Sequence, residues 1–331
     1  MLMRMNPLVA PAWLAARLDD PDTVILDATL PPVGVTPSVH PIKPTAGLLG
    51  TPAVDTRLTP AGKGRACWGP RARYLAQHIP GALFFDIDEL SDHATALPHM
   101  LPTAEAFASS MSAMGVADRQ CIVVYEQEGV FSAPRAWWML RTFGAGDVHV
   151  LDGGLRAWIE GGFPTESGSV QRAPANFAAK LDRNAVKDFA QIRELIAEGA
   201  AQGSQLQSSK IRRSKIPGPQ ILDARSPGRF TGSAPDPRPG VSSGHMPGAI
   251  NVHYAELAEG GRMKPAEELR KLFKAKGVDI DKPITTTCGS GVTAAVISLA
   301  LEICGAGRVS LYDGSWAEYA QQPGAVIEKT G

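Results

Sequence analysis

Cysteine, arginine, histidine and serine at particular spacings raise the first chemical question in this chain. Four cysteines occur, Cys67, Cys121, Cys288 and Cys304. Cys288 opens the run Cys288-Gly289-Ser290-Gly291-Val292-Thr293-Ala294, between the β-prone stretch Ile284-Thr285-Thr286-Thr287 and an apolar stretch from Val292 to Cys304 that reads as a buried helix. A strand, a tight loop and a helix in that order put the loop at the carboxyl edge of a sheet, the usual crevice for ligands in open α/β folds. Gly289 and Gly291 allow positive φ, so successive backbone N–H groups can turn inward. With the helix N-terminus they form an anion cradle around the sulfur. Such surroundings favour the thiolate, the nucleophilic form of cysteine. The expectation is covalent catalysis at Cys288, against the plainer reading of a structural cysteine beside a turn. The other three show no C-x-x-C pair and no metal-ligand spacing, so no metal site is expected. Cys121, in a predicted strand, and Cys304, in a predicted helix, read as small hydrophobes. Cys67 falls in a polar insertion.

The elements that must hold this loop are written twice. Val24-Ile25-Leu26-Asp27-Ala28 returns as Gln220-Ile221-Leu222-Asp223-Ala224, and His78-Ile79-Pro80-Gly81-Ala82 as His245-Met246-Pro247-Gly248-Ala249. Glu89-Leu90 matches Glu256-Leu257, and Leu151-Asp152-Gly153-Gly154 matches Tyr312-Asp313-Gly314-Ser315. A helix pattern over 104–115, with Phe107, Met111 and Met114 on one face, precedes a strand over 121–125. It recurs over 266–277 with Leu269, Leu272 and Phe273, before the strand over 284–287. The shared order predicts a duplicated α/β unit, each half a mostly parallel sheet flanked by helices. The predicted domains are 1–165 and 177–331, joined by a linker over 166–176 rich in Gly, Ser, Pro and Ala. Two insertions break the symmetry. Residues 33–73 are Pro/Gly-rich and carry Lys43, Arg57, Lys63, Arg65, Arg71 and Arg73; residues 199–219 are Gln/Ser-rich and end in a basic run from Lys210 to Lys215, read as a solvated loop. The position aligned with Cys288 is Glu126, so the first half lacks the nucleophile and reads as a scaffold. His78 and His245 open the same turn in both halves and read as structural.

Length and composition set limits. The 331 residues suit two domains, and 44% hydrophobic residues can fill two cores. Acidic and basic residues balance at 33 each, which gives no reason to expect nucleic acid or an anionic membrane as partner. No apolar run approaches the roughly 20 residues of a membrane span. Arg4 and the stretch Leu8–Ala16 faintly resemble a signal peptide. Pro7, Pro11 and the aspartates at 19, 20 and 22 favour a short helix over 12–18 leading into a strand, and a cytoplasmic protein.

Taken together these motifs resemble the tandem rhodanese superfamily over nearly the whole chain. The carriers are both H-x-P-G-A turns, Ala133-Pro134-Arg135-Ala136-Trp137-Trp138, Leu151-Asp152-Gly153-Gly154, Gly228-Arg229-Phe230 with Pro235-Asp236-Pro237-Arg238, the Cys288 loop, and Tyr312-Asp313-Gly314-Ser315-Trp316. The resemblance implies an inactive first domain packed on an active second one. Thiosulfate sulfurtransferases of the superfamily typically read C-R-K-G-V-T. Neutral Gly289 and Ser290 are instead similar to 3-mercaptopyruvate sulfurtransferases. That resemblance implies sulfur transfer from mercaptopyruvate to Cys288 with release of pyruvate. The persulfide then passes its outer sulfur to a thiol such as thioredoxin, or to cyanide, with no cofactor beyond the persulfide itself. It implies Arg229 and Arg238 as substrate-binding arginines, suited to a carboxylate by their planar fork. Gly289, Gly291, Val292 and Thr293 become the wall of the substrate site. Ser290, His99 and Asp88 become a hydrogen-bonded trio that polarises the substrate or moves a proton, with Cys288 as nucleophile.

Three other readings stand beside it. One is thiosulfate:cyanide sulfurtransferase activity. Another is a protein phosphatase, disfavoured because C-x5-R is absent: Ala294 and Ala295 follow where an arginine would close the loop. The last is a rhodanese module that only binds or senses, disfavoured by an intact Cys288 with both arginines.

Overall fold

The computed structural model describes residues 6–30, 69–207 and 219–330. Cys67, Lys43, Arg57, Lys63, Arg65 and the basic run from Lys210 to Lys215 lie outside them. Along the first half run β1 (Leu8–Val9), α1 (Pro11–Ala15), β2 (Thr23–Asp27), α2 (Pro70–Ala76), β3 (Leu83–Phe84), α3 (Ala104–Ala113), β4 (Cys121–Tyr125), α4 (Ala133–Thr142), β5 (Asp147–Leu151) and α5 (Gly154–Glu160). The second half holds β6 (Val186–Lys187), α6 (Phe189–Gln207), β7 (Gln220–Asp223), α7 (Pro227–Thr231) and β8 (Ile250–Asn251). After them come β9 (Ala258–Glu259), β10 (Arg262–Met263), α8 (Ala266–Ala275), β11 (Ile284–Thr287), α9 (Ala294–Ile303), β12 (Val309–Tyr312) and α10 (Ser315–Tyr319).

The duplication is real in three dimensions. Each half builds a five-stranded sheet, in the orders β1-β5-β4-β2-β3 and β6-β12-β11-β7-β8, with every pair in both parallel. Both central strands are covered on both faces, and polar side chains buried there must find partners: all of β2 is buried, as is all of β11, where Thr285 bonds Ser310 of β12 and Thr286 bonds Ser298 of α9. β9 and β10 form a small antiparallel hairpin outside the second sheet.

Several boundaries differ from the sequence reading. α1 is shorter than expected, and Leu8–Val9 pairs along the edge of β5, a two-residue strand too brief to show alternation. α6 continues to Gln207, through the first part of the Gln/Ser-rich segment. α9 begins at Ala294 rather than Val292, because Gly291 adopts φ +79° and the chain is still turning.

The core explains how the halves are held together. Ala294 to Leu301 are all buried, since α9 is covered by its own sheet on one side and by α4 of the first domain on the other. One apolar cluster accordingly runs through both domains, from Leu26, Phe107 and Trp137 to Cys288, Val296 and Leu299. The two H-x-P-G-A histidines are built into matching corners. His78 bonds Tyr74 O and Glu166 and stacks on Tyr74; His245 bonds Phe230 O, faces Glu328 and stacks on Phe230. Their structural reading fits these contacts.

Candidate active site

Cys288 follows the last residue of β11 at the carboxyl edge of the second sheet and is 2% exposed. Its carbonyl accepts from Trp316 N, that of Gly289 from Ala317 N, and its own N–H donates to Ser315 Oγ at 3.3 Å. The start of α10 thus pins the loop from behind. The N–H groups of residues 289–293 donate to no acceptor among the described residues. They are free to receive an anion as α9 begins.

The first domain carries the same cradle, filled from within. Glu126, at the position of Cys288, is buried, and its carboxylate accepts from Phe131 N (2.9 Å), Ser132 N, Ser132 Oγ (2.7 Å) and Ala133 N (3.1 Å) at the start of α4. Burial pushes the Glu126 carboxyl up, and these hydrogen bonds pull it back. A carboxylate therefore sits where the second domain leaves donors open.

Arg229 and Arg238 converge over the loop. A Cβ at Gly289 would lie 2.8 Å from Arg238 Nη1 and 3.1 Å from Arg229 Nη2, so a glycine gives the guanidiniums their room. Asp236, whose side chain is fully covered, holds both. It accepts from Arg229 Nη2 (2.6 Å) and Nε (3.2 Å) and lies 3.8 Å from Arg238 Nη1. Burial works against the Arg238 charge; Asp236 and the nearby Cys288 sulfur work to keep it. Asp236 itself escaped the sequence reading. Its signal is the Pro235-Asp236-Pro237-Arg238 run, where an acid two residues before an arginine can fork between two cations.

From the first domain, the segment over 88–101 reaches across to the same loop. His99 Nδ1 lies 2.9 Å from Ser290 Oγ, and His99 Nε2 lies 3.1 Å from Asp88 Oδ1. A carboxylate only accepts, so Nε2 carries the ring proton and Nδ1 accepts from the serine hydroxyl. That bond to His99 holds the Asp88 carboxyl below its usual range. Ser290 is buried, His99 nearly so, and the Asp88 side chain is 64% exposed, so the chain of hydrogen bonds ends in solvent. The structure brings together all of Cys288, Ser290, His99, Asp88, Arg229, Arg238, Gly289 and Gly291; Val292 is buried and Thr293 directly precedes α9.

A second cluster lies at the opposite end of the first sheet. Cys121, Asp147 and His149 offer ligand atoms within 4.8 Å of one another, a grouping that linear spacing did not reveal. His149 bonds Asp147 (2.8 Å) and Asn6 O (3.0 Å), while burial and Asp147 push the Cys121 thiol up to about 12. That thiol is poorly suited to act as a nucleophile.

Two repeats of this architecture around one cysteine cradle define a tandem sulfurtransferase scaffold. The chain belongs to the rhodanese family: the rhodanese-like domain matches residues 48–160 and again 208–322. It is 38% identical over 316 residues to the 3-mercaptopyruvate sulfurtransferase of Escherichia coli, covering 96% of this chain and 95% of that one. It is also 40% identical over 263 residues to the thiosulfate sulfurtransferase of Gallus gallus, covering 77% and 84%. The solved structure of SseA from Escherichia coli, described as a 3-mercaptopyruvate sulfotransferase, superposes with a TM-score of 0.72 at 37% identity, covering 95% of this chain and all of that one. Identity to the two kinds of relative is nearly the same, so the donor must be argued from the site.

Proposed function

We infer that the protein is an enzyme that transfers sulfur from 3-mercaptopyruvate. The observation that carries this choice of donor is the neutral loop: Gly289 and Ser290 bring no cation beside the sulfur, while Ser290 Oγ is tied to His99 at 2.9 Å. Thiosulfate is a compact dianion that calls for cations beside the nucleophile. Mercaptopyruvate carries a carboxylate, a ketone and a thiol proton. Arg229 and Arg238, held by Asp236, are proposed to take the carboxylate by charge-assisted hydrogen bonds.

In the proposed reaction the Cys288 thiolate attacks the substrate sulfur, and the carbon–sulfur bond breaks with its electron pair passing to carbon as the pyruvate enolate. The substrate S–H proton passes to Ser290 Oγ as the serine proton moves to His99 Nδ1, and Asp88 supports the imidazolium that results. Returning that proton to the enolate completes pyruvate and leaves a persulfide anion on Cys288. The open N–H groups of residues 289–293 are positioned to hold it. A thiol acceptor of the thioredoxin kind, or cyanide, then takes the outer sulfur and restores the thiolate. The cysteine carries the transferred atom throughout, so the proposed cycle uses no cofactor and no metal.

The first domain, residues 1–165, is proposed to be a non-catalytic partner that contributes His99 and Asp88 to the catalytic domain, residues 177–331. Among the described residues no helix is long and apolar enough to cross a membrane. A cytoplasmic placement is part of this proposal. The donor assay tests the function: purified protein should use mercaptopyruvate at least tenfold better than thiosulfate by kcat/KM, about 1.4 kcal/mol in transition-state binding. A preference for thiosulfate would leave sulfur transfer standing and remove the choice of donor.

A further inference from the structure

His99 is the member of the trio that has to be held by force. It lies on an irregular segment of the first domain, and its backbone adopts φ +60°, a left-handed conformation unfavourable for a residue with a Cβ. Such a conformation persists where its surroundings over-determine it. Here the groups on either side of Met100 are both clamped. The His99 carbonyl accepts from Arg135 Nη2, and Leu101 N donates to Asp313 Oδ2 at 2.7 Å. The two clamps are themselves joined, because the same Arg135 Nη2 donates to Asp313 Oδ1 at 2.8 Å. Arg135 is in α4 of the first domain and Asp313 follows β12 of the second, so the clamp spans the domain boundary.

Arg135 also touches the catalytic loop. Its guanidinium lies over the Trp138 ring, 4.6 Å from the centroid, and Nη1 sits 2.8 Å from where a Cβ on Gly291 would be. The residue is fully buried, yet Nε and Nη1 have no hydrogen-bond partner among the described residues. Buried donors left unpaired are costly and uncommon. An interface serving stability alone would be better filled by an apolar side chain with a neutral partner at 313.

We propose that Arg135 is a positioning residue for sulfur transfer: acting with Asp313, it holds the His99 backbone so that the imidazole meets Ser290. This rests on the role proposed above for Ser290 and His99. It predicts a loss that belongs to proton movement and not to carboxylate binding. Lysine at 135 keeps the charge, but its shorter stem and point-like ammonium lack the planar group that lies over Trp138 and carries Nη2 out to Asp313 and His99 O.

The test is a double-mutant cycle on the full chain, with Arg135→Lys, Ser290→Ala and the pair, read by steady-state kinetics with mercaptopyruvate. Arg135→Lys should lower kcat on the order of tenfold with KM changed by less than about threefold, and should shift the acid limb of the kcat–pH profile. In the Ser290→Ala background the same change should cost less than about twofold, since the relay it serves is already broken. Where Arg135→Lys fails to give folded protein by thermal melting, Asp313→Asn runs the same cycle with the same expectation. If Ser290→Ala alone leaves kcat unchanged, the proton relay itself fails and takes this inference with it. If Ser290→Ala is slow but the Arg135 change multiplies independently, raises KM alone, or has no effect, the relay stands and the positioning role is wrong.

Discussion

A sulfur atom can be accepted and given up again only through a thiolate, so Cys288→Ser is expected to abolish transfer from every donor. Mass spectrometry after incubation with donor should find one added sulfur on Cys288, and finding it on another cysteine would move the site. Arg229→Lys or Arg238→Lys would lose the forked contact proposed for the substrate carboxylate, and Arg229→Lys would also loosen the arrangement around Asp236. Each should cost about 1.5–3 kcal/mol, seen mainly as a raised KM for mercaptopyruvate. Ser290→Ala should slow mercaptopyruvate turnover while changing thiosulfate turnover little, since thiosulfate brings no thiol proton to move. At this scale the Cys288 loop could be read directly as a candidate site, because its strand, two glycines and helix start form one contiguous run, whereas Arg229 and Arg238 were singled out by the resemblance. His99 and Asp88 came from resemblance, because nothing local marks a loop histidine as facing a serine 191 residues away. Arg135 and Asp313 were quoted as motif members and assigned no task. Their contact joins residues 178 apart, and a buried polar pair leaves no periodic trace.

The elements show what the cradle is for. Strand, loop and helix are the same in β4 to α4 and in β11 to α9, but one cradle holds its own carboxylate and the other leaves its donors open. The repeat in the sequence located both loops correctly, and it could not reveal that Glu126 points inward at the donors, because an exposed glutamate would look identical. Burial raises the Glu126 carboxyl above its ordinary value of 4.5. A raised native value means that the folded state keeps its proton longer than the unfolded chain does. Its contribution to stability is greatest below the ordinary value and declines as pH rises through the native one. Glutamine cannot titrate. The stability of wild type relative to Glu126→Gln is therefore expected to fall as pH rises above about 4.5, measured by urea midpoints. The opposite slope would mean that the four hydrogen bonds outweigh burial. Sulfur transfer should be unchanged in Glu126→Gln, since Glu126 belongs to the cradle that has no cysteine.

On the scale of the whole molecule, each domain caps the cradle of the other. The first domain sends the His99 segment over the Cys288 loop. The second sends the β9–β10 hairpin over the Glu126 loop, close enough that a Cβ on Gly129 would lie 2.8 Å from Gly261 Cα. Equivalent aspartates anchor both crossings. Asp313 Oδ2 accepts from Leu101 N at 2.7 Å, and Asp152 Oδ1 accepts from Met263 N at 2.9 Å. The matching Leu151-Asp152-Gly153-Gly154 and Tyr312-Asp313-Gly314-Ser315 motifs are thus explained by the interface. A single sequence shows the repeat but not that each copy serves its neighbour. This exchange gives a matched comparison. Asp152→Ala and Asp313→Ala each remove one carboxylate that receives a backbone N–H from the opposite domain, a loss of about 1.5–3 kcal/mol in either case. Both should lower the melting temperature. Asp152→Ala acts over the cradle that lacks a cysteine, so its turnover of mercaptopyruvate should stay near wild type at temperatures where the protein is folded. Asp313→Ala frees the His99 segment and leaves Arg135 buried without its partner, so turnover should fall as well. Equal turnover in the two variants would mean that the crossing over Cys288 serves assembly alone, as the crossing over Glu126 does.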